Sequence, residues 1–253
     1  MDISPLLKEW EYNSKKNIRI IKADDGRDIL QVRKPLGIEQ YEMDGRPDGK
    51  KPFGRENLFL EFAARADEYD KHKKDSNSGY ELDPEDFTLL HEEALLYYYR
   101  YLILFQIGDY DRTVRDTEHN IKICDFLDTA YLNEEDKAQL LQYRPYIFRM
   151  NAVARALICI KQHLNELAKE ILEDAIREIK SMYEVNTTTF QFEKMRSLNY
   201  LKSMLEEIAD DKKVSMLDSL KIELEDAVKM ENYEKAAEIR DKIQKLSGKN
   251  RPE

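Results

Sequence analysis

Four cationic side chains and three glycines lie close together in the stretch MDGRPDGKKPFGR, residues 43–55. Glycine lets backbone N–H groups approach a bound group, and a cationic loop of this kind can hold a phosphate or a carboxylate. The candidate anion-binding residues are Arg46, Asp48 and Arg55. The alternative is a rigid turn in which Asp44 and Asp48 accept local hydrogen bonds while the cations point to water. We favour the turn.

A second polar group, Asp116, His119 and Asn120, has the i, i+3, i+4 spacing that places side chains on one face of a helix. The three residues lie at the edge of an apolar stripe, where half-buried polar groups need hydrogen-bond partners. The candidate partners are Arg100 and Tyr98 on the preceding helix and Arg144 near Pro145. The group forms either a binding groove or a polar clasp that fixes the angle between two helices, and we favour the clasp.

The sequence contains no signature of catalysis or metal binding. The segment GRPDGKK has the wrong spacing for a phosphate-binding P-loop, and the chain has no HExxH, CxxC or GxSxG pattern. The four histidines are scattered, and the carboxylates are spaced three or four residues from Lys or Arg, which is typical of solvated helix faces. We therefore expect no enzyme activity, no cofactor and no metal site.

The overall charge limits the partners of the protein. The chain has 253 residues, a formal net charge of −10 and a pI near 5.2. Such a field repels nucleic acids and anionic membranes, so direct nucleic-acid binding is not expected. The longest apolar stretch, residues 102–107, is too short to span a bilayer. Cys124 and Cys159 fit buried free thiols in a reducing compartment, and we expect a cytoplasmic protein.

A small antiparallel sheet is predicted before residue 55. Residues 17–34, NIRIIKADDGRDILQVRK, have the pattern of two strands joined by a turn at Asp25-Gly26. Residues 37–43, GIEQYEM, add a third strand. Three strands bury too little apolar surface to be stable alone. The sheet is therefore expected to lie against the helices that follow.

Helix signals dominate from Glu56 onward. Asp83 suits an N-cap position with Pro84 in the first turn, and Asn133 suits the cap of a later helix. Pro145 marks a break in that later helical region. The tyrosine-rich run at residues 97–101 covers all sides of its helix, which favours core packing over a base-stacking platform.

Three segments form a weak internal repeat in which a turn precedes a helix. They are residues 108–121, 162–176 and 231–243. Each follows another amphipathic helix, as in solenoids built from helical hairpins. Gly108 and Tyr110 fit the inter-helix turn of a tetratricopeptide repeat, and Ala168 and Ala175 fit its small positions. No regular period of about 34 residues appears, so the prediction is a TPR-like body rather than a strict array.

The last two predicted helices, near residues 216–229 and 233–246, carry matching apolar stripes. The stripes contain Leu217, Leu220, Leu224 and Ala227 on the first helix, and Tyr233, Ala236, Ala237, Ile243 and Leu246 on the second. They can pair across a turn at Glu231-Asn232, where the adjacent alanines permit close approach. A hairpin this short is not stable alone. Its outer edge must contact either the body of the chain or another chain.

The segment LEDAVKMENYEKAAEIRDKI, residues 224–243, resembles the UVR motif, a helical hairpin of the B and C subunits of bacterial excinucleases. The resemblance implies a protein–protein contact and not a catalytic element. The chain has no helicase motif, no GIY-YIG pattern and no cysteine-rich zinc module, so excinuclease activity does not carry over. The partner-binding residues that the resemblance implies are Leu220, Leu224, Ala227, Tyr233, Ala236, Ala237, Arg240 and Ile243.

Longer blocks, among them residues 97–128 and 142–157, are similar to a family of bacterial UVR-motif proteins. This resemblance implies an order of sheet, helical body and hairpin, and it implies no activity. The predicted fold class is mainly α (α+β). The predicted domains are a β-region with a Gly-rich loop at 1–55, a TPR-like body at 56–211 and the UVR hairpin with a tail at 212–253. Residues 209–215, ADDKKVS, are predicted to be a linker at the second boundary.

Three functional hypotheses follow from these features. The leading one is a non-enzymatic interaction protein whose hairpin docks a partner protein or a second copy of the chain. The second is an accessory factor in nucleotide excision repair or nucleic-acid metabolism, which depends on the UVR resemblance alone. The third is a small-anion sensor or enzyme that uses the Gly-rich loop or the polar group around Asp116.

Overall fold

The structure is a computed structural model that describes residues 2–72, 79–229 and 233–247. It is mainly α-helical with one small antiparallel sheet near the N-terminus, as predicted. The strands are Ile18–Lys22 (β1), Asp28–Lys34 (β2) and Gly37–Glu42 (β3). The helices are Ser4–Glu9 (α1), Leu58–His72 (α2), Pro84–Gln106 (α3), Tyr110–Ala130 (α4), Glu134–Leu141 (α5), Arg144–Lys161 (α6), Asn165–Ser181 (α7), Thr188–Lys229 (α8) and Tyr233–Leu246 (α9).

The sheet has the strand order β1-β2-β3, with Leu30 paired to Ile20 on one side and to Tyr41 on the other. Gly26 has φ +85° in the turn between β1 and β2, a conformation that glycine adopts without steric cost. Apolar residues of β2 and β3 pack against Ile103 and Leu104 of α3. The predicted three strands and their position against the helices are thus confirmed.

Local sequence signals define the starts of several helices. The Asp83 carboxylate accepts the backbone N–H of Asp86 at 2.8 Å, and Pro84 is in the first turn of α3. The Asn133 side chain accepts two N–H groups at the start of α5. Pro145 is in the first turn of α6, where its missing N–H costs no hydrogen bond. These three predictions are confirmed.

Consecutive helices pack as hairpins in the body. Helix α3 packs on α4, α4 on α6, α6 on α7, and α8 on both α6 and α7. One apolar cluster includes Phe62, Leu90, Ile123 and Phe190 from α2, α3, α4 and α8. A second cluster lies mainly among α6, α7 and α8. The hairpins α3–α4 and α6–α7 match two predicted repeats, while the likeness to tetratricopeptide repeats remains a prediction.

Helix α8 is continuous from Thr188 to Lys229, where the sequence analysis predicts two helices and a linker at residues 209–215. The prediction of a linker is wrong for the backbone, which is helical throughout that segment. The physical reason is that the segment contains no Gly or Pro, and charged residues are compatible with a helix. The division into domains remains a prediction. None of the described helices is long and apolar enough to cross a membrane.

Candidate functional site

A buried ion pair between Arg100 and Asp116 joins α3 to α4. Both side chains are fully buried, and the Arg100 guanidinium donates two hydrogen bonds to the Asp116 carboxylate, at 2.6 and 2.8 Å. The third guanidinium nitrogen donates to the backbone carbonyl of Glu42, at the end of β3, at 2.8 Å. Each nitrogen of this guanidinium therefore has a partner within the protein, which is the arrangement expected of a structural clasp.

Arg112 and Arg115 extend this clasp to the loop after β3. Arg115 donates to the Met43 carbonyl at 2.8 Å and to the Asp116 carboxylate at 2.9 Å. Its third nitrogen donates to Asp44 at 2.6 Å. Arg112 also donates to Asp44, at 3.1 Å, and this hydrogen bond holds the pKa of Asp44 below its usual value. The end of the sheet is thereby fastened to the first helical hairpin of the body.

A second buried carboxylate, Glu93 on α3, caps the start of α2. It accepts the backbone N–H groups of Leu58 at 2.7 Å and Phe59 at 3.1 Å. The first N–H groups of a helix have no partner within the helix, so this carboxylate supplies one from another element. His119 Nε2 lies 3.2 Å from Glu93, and its ring stacks on Tyr97 with 3.7 Å between centroids. Glu93 therefore links α2 to the hairpin of α3 and α4.

The predicted group of Asp116, His119 and Asn120 does not converge on one point. Asp116 belongs to the clasp, and His119 is stacked on Tyr97. Asn120 donates from Nδ2 to the Ala94 carbonyl at 2.9 Å. The three side chains share a helix face but contact three different partners, so they form no single groove for a ligand.

The candidate hydrogen-bond partners of that group also lie in different places. Arg100 is the one that binds Asp116. Arg144 instead joins α6 to α4 through Asp125 and Asp128, at 2.5 and 2.7 Å. The carboxylates of Asp125 and Asp128 lie on the same helix as Asp116, but further along it. The sequence alone left these partners open because both α3 and α6 pack on α4.

The Gly-rich loop is closed by ion pairs. Arg46 Nε lies 3.2 Å from Asp48 and 3.5 Å from the buried carboxylate of Glu93. Arg55 pairs with Glu61 at 3.2 Å, and three glycines of the loop have positive φ angles. The predicted anion-binding arginines therefore face carboxylates of the protein itself. This geometry favours the compact turn over an anion site.

The tyrosine run of α3 has two environments. Tyr97 and Tyr101 are buried, as expected of core residues, while Tyr99 is half exposed. Tyr98 and Tyr101 also line a cavity of about 270 Å³ together with residues of α4, α5, α6 and α8. Sequence reasoning missed this cavity because its walls come from distant segments. One signal was present: Glu193 lies on the buried stripe of α8, where a carboxylate is unusual.

The C-terminal part of α8 and helix α9 form a hairpin with its own apolar cluster. Leu220 and Ile239 are its buried members, 9% and 2% exposed. Those packed against them are Leu224, Ile243 and Leu246, so every member of this cluster comes from α8 or α9. Lys235 pairs with Glu223 across the two helices at 3.0 Å. The predicted turn at residues 231–232 lies outside the described residues.

The predicted partner-binding residues have different positions in this hairpin. Leu220, Leu224 and Ile243 lie between its two helices, so they hold the hairpin together. Ala237 and Arg240 are exposed on α9. The side chains outside the described part of the structure are those of Ala227, Tyr233 and Ala236. Among the described residues, Ala237 and Arg240 are therefore the exposed members of the predicted set, while Leu224 and Ile243 are partly buried.

Comparisons with known proteins identify one motif in this hairpin. A family model described as the UvrB/uvrC motif matches residues 215–249. The match covers the end of α8 and all of α9, so the chain carries a UVR motif in this segment, as the resemblance implies. Neither the curated proteins nor the solved structures contain a match to this chain.

Metal-ligand clusters and thiols are two sources of reactive chemistry in a protein. No group of three or more His, Cys, Asp or Glu among them could hold a metal ion. Both cysteines are free and buried, and burial raises the pKa of the Cys124 thiol to about 12. A thiol with so high a pKa is almost entirely protonated at neutral pH and is a poor nucleophile.

Proposed function

We propose that this protein is a non-enzymatic interaction protein that docks a partner through the hairpin of α8 and α9. The observation that carries the proposal is the UvrB/uvrC-motif match, which falls on these two helices. In excinuclease subunits this hairpin is a protein–protein contact. The proposed partner is a helical segment of another protein or the same hairpin in a second copy of the chain.

The surface of the hairpin supports this role. Ile222 and Met216 on α8 are 63% and 50% exposed, and Ile222 is flanked by Lys221 and Glu223. On α9, Arg240 and Asp241 are exposed neighbours. Exposed apolar side chains with charged neighbours are compatible with a surface that another protein covers. The apolar cluster inside the hairpin leaves this outer surface free for docking.

The test reverses one exposed charge on the hairpin in the full-length chain. Arg240→Glu changes a predicted contact residue, and Lys202→Glu is the matched change on an exposed position of α8 in the body. Tagged versions of both variants, the unchanged chain and a chain that ends at Asp211 are used for cross-linking in the source cell. The molecular mass of each version is measured by light scattering.

The proposal expects Arg240→Glu and the shortened chain to lose the same cross-linked proteins, or to lose the dimer, while Lys202→Glu retains them. Charge reversal at an interface typically weakens binding by tenfold or more. Identical cross-linked proteins and identical mass for all four versions would exclude the hairpin as a docking device.

A second candidate is an accessory role in nucleotide excision repair, which the description of the matched motif favours. In this role the hairpin contacts excinuclease subunits and the protein does not read DNA itself. Titration of the full chain with purified excinuclease B and C subunits is the direct measurement. A gel shift at low salt tests whether the chain binds DNA directly. The affinity of such binding would fall steeply as the salt concentration rises. The net charge of −10 disfavours direct binding to DNA.

A further inference from the structure

A cavity of about 270 Å³ lies in the helical body, with walls from α3, α4, α5, α6 and α8. Tyr98, Tyr101, Tyr143 and Tyr146 line it together with apolar side chains such as Leu140. Small-molecule sites are mostly apolar and aromatic, contain few polar groups and have volumes of roughly 300–1,000 Å³. A cavity just below that range suits a molecule of one or two rings.

Three of the residues that line this cavity carry a buried polar atom without a hydrogen-bond partner. The Tyr101 hydroxyl, Asn120 Oδ1 and Glu193 Oε2 are buried and have no hydrogen-bond partner among the described protein atoms. Their residues are 0%, 3% and 9% exposed. Nearly all buried polar atoms in proteins are partnered, and an exception calls for a reason. Three exceptions around one cavity indicate that the partner is another molecule.

The unpartnered atoms are mainly acceptors. The Asn120 amide already uses Nδ2 to donate to the Ala94 carbonyl, which leaves Oδ1 as an acceptor. The other carboxylate oxygen of Glu193, Oε1, lies 3.6 Å from Arg196, and the carboxylate also interacts electrostatically with Arg149, while Oε2 accepts no hydrogen bond from the described residues. Two free acceptors in an apolar site require a ligand with N–H or O–H donors.

The aromatic walls are uncharged. Burial raises the pKa of Tyr98, Tyr101 and Tyr146, so these phenols stay protonated. Burial also lowers the pKa of His91, another lining residue, which keeps the imidazole neutral at neutral pH. Neutral aromatic faces favour stacking with another ring. The Tyr101 hydroxyl can both donate to such a ligand and accept from it.

We propose that this cavity binds an aromatic molecule of one or two rings that carries an amino group. Its ring packs against the tyrosines, and its N–H groups donate to the free oxygens of Asn120 and Glu193. The Tyr101 hydroxyl completes the polar contacts. This site lies on the body of the protein and does not depend on the docking role of the hairpin.

The test uses four probes and the full-length chain. Adenine carries a neutral amino group on a ring, and tyramine carries an ammonium group on a short chain. Purine and 4-ethylphenol are their counterparts without the amino group. Calorimetric titration and the shift in unfolding temperature measure binding of each probe. We expect at least one amino-bearing probe to bind about tenfold more tightly than its counterpart, because its counterpart leaves the buried acceptors unpartnered.

Two pairs of matched variants locate the bound probe. Tyr101→Phe removes the unpartnered hydroxyl, and Tyr99→Phe makes the same change at an exposed tyrosine. Glu193→Gln removes the charge of the cavity carboxylate, and Glu207→Gln does so at an exposed position of the same helix. Each cavity variant is expected to weaken binding about tenfold, which corresponds to one lost hydrogen bond. Each control is expected to bind like the unchanged chain.

Three results would overturn the proposal. The first is no binding of any probe by the unchanged chain. The second is equal affinity for each probe and its counterpart without the amino group, since the free acceptors would then recognise nothing. The third is binding that neither Tyr101→Phe nor Glu193→Gln weakens, because the probe would then bind elsewhere. Circular dichroism spectra of the variants verify that each one is folded.

Discussion

The clasp and the cavity are two buried polar clusters that both include residues of α3 and α4. They differ in whether each polar atom has a hydrogen-bond partner. In the clasp, each nitrogen of Arg100 has a partner and Asp116 accepts from two arginines. In the cavity, Tyr101, Asn120 and Glu193 each have an atom without one. A satisfied cluster stabilises the fold and has no capacity left for a ligand, whereas an unsatisfied one has that capacity. Arg100 and Asp116, which first suggest chemistry, are therefore structural, whereas Asn120 on the same face of α4 belongs to the cavity.

Removal of the clasp carboxylate is the largest expected perturbation. Asp116→Ala leaves Arg100 buried without its ionic partner, which typically costs about 3–5 kcal/mol of unfolding free energy. Glu118→Ala removes an exposed carboxylate from the same helix and serves as the control. Urea unfolding followed by circular dichroism measures both. A loss no larger than that of the control would show that the clasp is not a structural element.

Removal of the Glu93 carboxylate should have the next largest effect. Glu93→Ala deprives two backbone N–H groups at the start of α2 of their acceptor, which we expect to cost about 2 kcal/mol. Glu93→Gln keeps one acceptor oxygen and should cost less. Glu92→Ala, at an exposed neighbouring position, is the control in the same urea titration. Equal stability of Glu93→Ala and Glu92→Ala would contradict the capping role.

The comparison is sharpest for two buried tyrosine hydroxyls. Tyr131 donates to Asp136 at 3.0 Å, while the Tyr101 hydroxyl has no partner among the described residues. Tyr131→Phe should therefore cost about 1 kcal/mol, and Tyr101→Phe should change the unfolding free energy by less than about 0.5 kcal/mol. Thermal and urea unfolding without any added ligand measure the pair. A larger loss for Tyr101→Phe would mean that its hydroxyl is already satisfied.

The smallest expected effect is a pH dependence at the cavity wall. Burial lowers the pKa of His91 in the folded state, so the unfolded state binds the proton more tightly. The His91 contribution to stability is therefore complete above the unfolded pKa of about 6.5 and is lost as pH falls toward the folded pKa. His91→Gln should reduce the stability difference between pH 7.5 and pH 5.5. His72→Gln is the control. If His91→Gln leaves the stability difference between the two pH values unchanged, the predicted direction of the pH dependence is wrong.

Signals carried by a few neighbouring residues predicted much of the fold. The turn at Asp25-Gly26, the cap at Asp83 and the break at Pro145 each act within one turn of chain, so the sequence is sufficient to find them. The linker prediction failed because a run of charged residues at 209–215 lacks a residue that disfavours helix. Charge alone does not end a helix.

Signals that depend on distant residues were harder to predict. Glu93 reaches the first N–H groups of α2, which precede it by more than thirty residues. Nothing local distinguishes it from exposed Glu92 except its place on the buried stripe of α3. The cavity around Tyr101 has the same origin, since Glu193 and Tyr146 come from other helices. Which polar groups remain unpartnered is decided only when all of these helices pack together.

The uninterrupted course of α8 also has a mechanical consequence. At a rise of about 1.5 Å per residue, this helix of 42 residues is about 63 Å long. Its first half carries Glu193 and is embedded in the body through Phe190 and Leu201, while its far end carries the hairpin. A tilt of about 5° at the embedded end would displace the far end by about 5 Å. Because α8 is one continuous helix, any tilt of its embedded half would be magnified at the hairpin.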